Sequence, residues 1–261
     1  MIWKGLRWRA MRLGGLCCII IASGLEADER KMRSATEFLS PALRLEQSDT
    51  ALNRGMLWVD LGTTLWSEPA GDAKVACSQC HGPIERMRGA AARYPAVDPT
   101  TGQFLNLEGR INACRKRYQT AAALAYESEP LLALTAVVAH QSRGLPMQVQ
   151  VDGKAKPYFE AGSALFNERQ GQLDLACRQC HEDLVGRKLR GDTISSGLGI
   201  GYPAYRLEWQ GLGSLHRRLQ ACQVGVRAVE LPPGSTDHLA LELYLAWRAT
   251  GIAVETPAIR R

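Results

Sequence analysis

The sequence lacks three features that would place it outside the ordinary globular proteins. It has no low-complexity run, no excess of glycine or proline over its whole length, and no second apolar segment as hydrophobic as the one near its N-terminus. These absences exclude collagen-like and intrinsically disordered chains. What is present is a chain of 261 residues, 46% hydrophobic and 22% charged. That length suits one or two domains with a sizeable core.

A strongly basic body is absent as well, although the formal net charge is +6. The first 27 residues hold Lys4, Arg7, Arg9 and Arg12 against Glu26 alone, which leaves 28 basic and 25 acidic residues, a net charge of +3, in the rest of the chain. Nucleic-acid binding therefore receives little support.

The N-terminus has the pattern of a secretory signal peptide, which we place at residues 1–27. A basic region is followed by the apolar stretch Leu13–Ala22 and then by small residues suited to cleavage. The stretch is short for a bilayer span, so a retained anchor is the less favoured alternative. We interpret Cys17 and Cys18 as discarded signal residues. We expect export to the periplasm, no membrane attachment after cleavage, and an oxidising environment for the other six cysteines.

Two C-x-x-C-H pentapeptides, Cys77–His81 and Cys177–His181, are typical of c-type haem attachment. On one helical turn, residues i, i+3 and i+4 share a face, so two thiols can reach the haem vinyl groups while the histidine meets the iron. A zinc site and a thioredoxin-like redox pair are the alternatives that also use C-x-x-C. Two such motifs predict two covalently bound haem c groups.

The chain repeats itself around these motifs. Residues before each motif recur at an offset of 100, and Arg110–Cys114 recurs as Arg218–Cys222 at an offset of 108. We therefore predict a mainly α fold, a tandem repeat of two cytochrome c-like domains at 28–150 and 151–261. Long haem-wrapping loops are expected at 83–109 and 183–211.

Methionine, a common distal haem ligand, is missing from the second repeat, which has none after Cys180. Met147 follows the last helix of the first repeat and is better explained by packing. Cys114 and Cys222 occupy equivalent positions and are the best distal ligands available. A disulfide between them is the alternative.

An arginine lies four residues before each of these cysteines and therefore on the same helical face. Arg218 beside Cys222 would form an anion site that lowers the thiol pKa and binds a sulfur oxyanion. A solvated arginine, or one paired with a haem propionate, is the equally ordinary alternative.

The two C-x-x-C-H modules, each followed by R-x-x-A-C, resemble the SoxA family, dihaem cytochrome subunits of the SoxAX complex of bacterial sulfur oxidation. The resemblance implies a SoxX monohaem partner, a soluble cytochrome c acceptor, and oxidative coupling of thiosulfate to a cysteine of the SoxYZ carrier. It also implies the residue roles. These are thioether attachment by Cys77, Cys80, Cys177 and Cys180, proximal ligation by His81 and His181, distal ligation by Cys114 and Cys222, catalysis by Cys222 as a persulfide, and substrate binding by Arg218.

Two other functions stay open on the sequence alone. A thiosulfate dehydrogenase would join two thiosulfates to tetrathionate without a carrier. A dihaem electron-transfer cytochrome would need no substrate site, and the missing second methionine argues against it.

Overall fold

A computed structural model describes residues 1–2 and 32–261. The predicted signal peptide, with Cys17 and Cys18, lies almost entirely outside these residues. In residues 32–261, helices dominate: α1 Pro41–Ser48, α2 Met56–Ser67, α3 Cys77–His81, α4 Leu107–Cys114, α5 Glu129–His140, α6 Lys156–Asn167, α7 Cys177–His181, α8 Leu215–Gly225 and α9 Thr236–Arg248. None of the described helices has the length and apolar character needed to span a membrane.

Two helix pairs form the framework, α2 with α5 and α6 with α9. Each pair approaches closely at a glycine. A Cβ atom on Gly62 would lie 2.2 Å from the carbonyl oxygen of Ala133, and one on Gly162 would lie 2.0 Å from that of Ala240. Only glycine lets the backbones meet at this distance. These pairs place α3 and α7, which follow α2 and α6 in the chain.

The segments predicted as long loops, 83–109 and 183–211, contain short strands that the sequence did not reveal: β1 Ala96–Val97, β2 Phe104–Leu105, β3 Lys188–Leu189, β4 Asp192–Thr193 and β5 Ala204–Arg206. Two more strands follow, β6 Gly211–Gly213 and β7 Ala258–Arg260. In the largest sheet, β5 lies between β6, its antiparallel neighbour, and β7, its parallel neighbour. Runs of two or three residues are too short to show the alternation that identifies a strand in sequence.

The hydrophobic core crosses residue 150, where the sequence analysis divides the chain. One cluster of buried side chains joins Trp66 and Leu132 to Tyr205 and Ile259. Residues 32–261 form one compact unit by their contacts. The division at 150/151 therefore stays a prediction, and the two halves share packing.

The C-terminal strand is tied to the region around α1 by buried polar contacts. The side chain of Asn53 donates to the carbonyl oxygen of Pro257 at 2.9 Å, and the amide of Ile259 donates to Gln47 at 3.0 Å. Both polar side chains are almost completely buried, so these bonds satisfy groups that would otherwise be costly to bury. They hold β7 against α1 and thereby support β5.

Candidate haem and sulfur-anion sites

Both C-x-x-C-H motifs form five-residue helices with the same N-terminal contact. The side-chain oxygen of Gln79 accepts from the amide of Ala76 at 2.7 Å, and that of Gln179 accepts from the amide of Ala176 at 2.8 Å. Each glutamine thus satisfies an amide just before the first turn of its helix. The two cysteines and the histidine of each motif lie on one helical face, as the spacing predicts.

The turn before each motif is anchored to the segment that follows the helix with the predicted distal cysteine. The amide of Ala73 donates to the carbonyl oxygen of Gln119 at 3.2 Å, and that of Leu173 donates to Val226 at 3.3 Å. Both turns contain a glycine with positive φ, Gly71 and Gly171. A Cβ atom there would lie 2.0 Å and 2.2 Å from the same carbonyl oxygens. This anchor was not predicted from the sequence, where only a pair of glycines at an offset of 100 could have indicated it.

The predicted proximal histidines are accessible for ligation. His81 is exposed and lies beside Trp66, with ring centroids 5.6 Å apart. His181 is half-buried, and its Nδ1 lies 2.8 Å from the carbonyl oxygen of Ser195. A carbonyl only accepts, so Nδ1 carries the proton and the Nε2 lone pair is free for a metal.

The predicted distal cysteines lie on capped helices. Asn106 caps α4 by accepting from Gly109 at 2.9 Å, and Ser214 caps α8 by accepting from Arg217 at 3.2 Å. Such caps stabilise a helix by about 1 kcal/mol. Within residues 32–261 all six cysteines are free thiols. The structure thus contains no disulfide between Cys114 and Cys222.

The second site brings its predicted residues together. The Cys222 thiol lies within hydrogen-bonding reach of His181 and interacts electrostatically with Cys177 and Cys180. Nδ1 of His181 is engaged by Ser195. A histidine nitrogen and a cysteine sulfur beside two free thiols are the donors that would hold a covalently attached haem.

The first site is similar in composition but less complete in its contacts. Cys114 interacts electrostatically with Cys77, one of the two predicted attachment thiols. His81 and Cys80 are exposed on the same short helix. In the described part of the chain, no group of three or more His, Cys, Asp or Glu side chains could hold a metal ion.

The pKa values of the two distal thiols are shifted in opposite directions. Burial raises the pKa of Cys114, and Asp98 raises it further, against the positive charges of Arg110 and Arg117 and the hydrogen bond from Arg110. For Cys222, burial alone would raise the pKa. The hydrogen bond with His181 and the charges of Arg218 and Arg206 outweigh burial, so the pKa of Cys222 is lowered. The second site therefore favours a thiolate.

The two predicted arginines differ in their partners. Arg110 donates to Asp98 and to the Tyr94 hydroxyl, each at 3.0 Å. The half-buried Arg218 has no side-chain hydrogen bond or ion pair among residues 32–261, and its main electrostatic partner is Cys222. Glu208 and Asp192 act on Arg218 only through their charge and form no ion pair with it. A partly buried guanidinium without a directly paired carboxylate can bind an anionic ligand.

The chain is similar in sequence to known cytochrome c proteins. A family model described as "SoxA/TsdA, cytochrome c domain" matches residues 61–147. The SoxA subunit of L-cysteine S-thiosulfotransferase from Pseudaminobacter salicylatoxidans is 37% identical over 86% of this chain and 79% of its own length. The same subunit from Rhodovulum sulfidophilum is 36% identical over 88% of this chain and 80% of its own length.

A solved structure is also similar over most of the chain. The crystal structure of SoxXA from P. pantotrophus matches with a TM-score of 0.85 and 34% identity, covering 88% of this chain and 87% of the matched chain. The fold and the cysteine–histidine motifs thus define a cytochrome c protein, whose haem is covalently bound. The chain belongs to the SoxA family.

Proposed function

We propose that this chain is the catalytic subunit of an L-cysteine S-thiosulfotransferase. In this proposal it joins thiosulfate oxidatively to a cysteine of the SoxYZ carrier in the periplasm, after removal of residues 1–27. A SoxX monohaem cytochrome is its stable partner, as in the similar SoxXA complex, and a soluble cytochrome c takes the electrons. The observation that supports the chemistry is the meeting of Cys222, His181 and the unpaired Arg218 in one site.

The proposal includes two cytochrome c modules, at 28–150 and 151–261, each with one haem c. The first haem would be attached through Cys77 and Cys80 and held by His81 and Cys114. The second haem would have the equivalent set: Cys177, Cys180, His181 and Cys222. The recurrence of a glycine-mediated helix pair, a five-residue helix and a capped cysteine helix supports two modules.

Each residue of the second site has a defined task. Arg218 binds the thiosulfate anion, and the Cys222 sulfur, carried as a persulfide, lies where the anion is held. His181 is oriented through Ser195 so that Nε2 stays available. When bound, the haem supplies a one-electron acceptor next to the sulfur. Overall, the carrier thiol loses a proton, its sulfur bonds to the outer sulfur of thiosulfate, and two electrons leave. A second acceptor, the partner's haem, is therefore required.

The test separates the ligand role of Cys222 from its chemical role. Cys222→Ala removes both, whereas Cys222→Met retains a sulfur that can ligate iron but cannot form a persulfide. We expect both variants to lose thiosulfate-dependent coupling to SoxYZ by about 100-fold or more, and Cys222→Met to retain two haems per chain. Full coupling in either variant would exclude the catalytic role.

Mass spectrometry of non-reduced peptides tests the resting state and the alternatives. One extra sulfur on the Cys222 peptide supports the persulfide enzyme. A cross-link to the Cys114 peptide would contradict both distal thiolates and favour an electron carrier. Tetrathionate formed by the isolated complex without SoxYZ would instead assign a thiosulfate dehydrogenase.

A further inference from the structure

The two cysteine sites differ by a reversal of charge at one equivalent position. The tripeptide Tyr-Pro-Ala begins at Tyr94 in the first half and at Tyr202 in the second, 16 residues before Arg110 and Arg218 respectively. Two residues after each tripeptide ends, the first half has Asp98 and the second has Arg206. The positions correspond at the same offset of 108 that relates the two cysteines.

In the first site, this position neutralises the arginine. Asp98 is only 2% exposed, accepts from Arg110 at 3.0 Å, and is held by the amide of Thr100 at 2.8 Å. The guanidinium beside Cys114 therefore already has an internal carboxylate. A further anion could bind to Arg110 only by displacing the Asp98 carboxylate. The charges of the first site therefore disfavour the binding of sulfur oxyanions.

In the second site, the same position adds a cation. Arg206 is 4% exposed on the central strand β5, and its charge acts on the Cys222 thiol together with that of Arg218. Burial of two like charges around one sulfur is unfavourable unless an anion is present. Such arrangements are typical of ligand sites.

The contacts of Arg206 leave part of its guanidinium available. Its Nε pairs with Glu208 at 3.0 Å, its Nη1 lies 3.4 Å from the Tyr202 hydroxyl, and its Cζ lies 5.1 Å from the Trp209 ring centroid. Glu208 is 51% exposed, so solvent screens its attraction to the Arg206 guanidinium. Asp192, a second carboxylate that acts on Arg218, is itself 3.5 Å from Arg261.

We propose that Arg206 is a second substrate-binding arginine, which holds the doubly charged sulfur oxyanion together with Arg218, and that Asp98 excludes the same anion from the first site. This deepens the proposed function and rests on it. The position occupied by Asp98 in one half and by Arg206 in the other thus decides which of two similar cysteine sites takes the substrate.

The test measures the equilibrium binding of thiosulfate by calorimetry. The sample is the haem-loaded complex with its monohaem partner, without SoxYZ. We expect Arg206→Gln to raise the Kd about tenfold or more, the range for losing a hydrogen bond to a charged group. Arg206→Lys keeps the charge and is expected to recover most of the affinity. The matched control is Arg217→Gln, which makes the same charge change where the arginine stacks 4.2 Å from Trp209, and its Kd is expected to stay within about twofold.

A second variant keeps the test decisive if Arg206→Gln does not fold. Glu208→Gln leaves Arg206 in place but removes its competing carboxylate, so the Kd for thiosulfate is expected to fall severalfold. An unchanged or raised Kd in Glu208→Gln would contradict the proposal. Melting temperature and haem content check the fold of every variant.

Arg218→Gln separates a failure of the role of Arg206 from a failure of the proposed function. If it raises the Kd about tenfold while Arg206→Gln behaves like Arg217→Gln, the role of Arg206 is wrong and the proposed function stands. If neither Arg218→Gln nor Arg206→Gln changes the Kd, thiosulfate does not bind at Cys222 and the proposed function itself fails.

Discussion

Replacing Glu108 by glutamine is expected to change how the stability of the protein depends on pH. Glu108 is 7% exposed at the start of α4. Burial, together with the negative charge of Glu242, raises its pKa from the ordinary value of 4.5 to about 7, against the opposing effect of His216. Glu127 adds a further negative charge. The carboxyl group is therefore protonated in the folded state at pH values where the unfolded chain has lost that proton.

The neighbours of Glu108 are fixed by a buried polar network. The amide of Gly234 donates to Nδ1 of His216 at 2.9 Å, so Nε2 carries the proton and donates to Glu242 at 2.9 Å. Asn106 also donates to Glu242, at 3.1 Å. Glu242 thus accepts two hydrogen bonds, and its negative charge raises the pKa of the buried Glu108.

The magnitude follows from the raised pKa. Between pH 4.5 and 7 the folded state binds one more proton than the unfolded state, so the free energy of unfolding falls as pH rises, by about 1.4 kcal/mol per pH unit. Below pH 4.5 the contribution is fully present, and above pH 7 it has been lost. From this change in the pKa of Glu108, the carboxyl group accounts for a loss on the order of 3 kcal/mol.

The assay compares variants, because another group opposes Glu108. Burial and the neighbouring His216 lower the pKa of His238 to about 4, so its contribution is lost as pH falls from 6.5 to 4, and the two trends partly cancel in the unmodified protein. Urea denaturation followed by circular dichroism is measured from pH 4.5 to 8. The stability of Glu108→Gln relative to the unmodified chain should rise by about 3 kcal/mol over this range.

The exposed Glu230 supplies the control. Glu230→Gln should keep a constant difference from the unmodified protein at every pH. An equally constant difference for Glu108→Gln would contradict a raised pKa of Glu108 in the folded protein.

Two further predictions concern the packing that positions the second site, each measured by thermal and urea denaturation. Gly162→Ala should lower the free energy of unfolding by about 1–3 kcal/mol, because its Cβ would meet the Ala240 carbonyl oxygen. Gly225 has open space around it, so the control Gly225→Ala should change the free energy of unfolding by less than about 1 kcal/mol. Equal effects of the two substitutions would contradict the close approach of α6 and α9. Phe166→Ala should cost about 3–5 kcal/mol, because the side chain is 1% exposed, while Leu173→Ala, at 47% exposed, should cost less than about 1 kcal/mol.

The chemistry-bearing residues were readable from the sequence because their spacing is local. Cysteine and histidine within one helical turn, and arginine four residues before a cysteine, need no knowledge of the fold. The interpretation of Met147 as a packed side chain is also confirmed, since it is 6% exposed. The expectation that the segments before α4 and α8 are irregular was incomplete, because they contain two- and three-residue strands.

Tertiary structure alone decided which charges surround each sulfur. Asp98 and Arg206 lie 16 residues before Cys114 and Cys222, and no local pattern brings them to the thiols. Their effect depends on strands and turns held by partners far along the chain. The Glu108–Glu242 pair likewise joins α4 to α9. The sequence by itself therefore determined the haem motifs and the helices that carry them, since these depend on local periodicity. Which cysteine has a carboxylate beside its arginine and which has a second arginine depends on long-range packing, which periodicity does not encode.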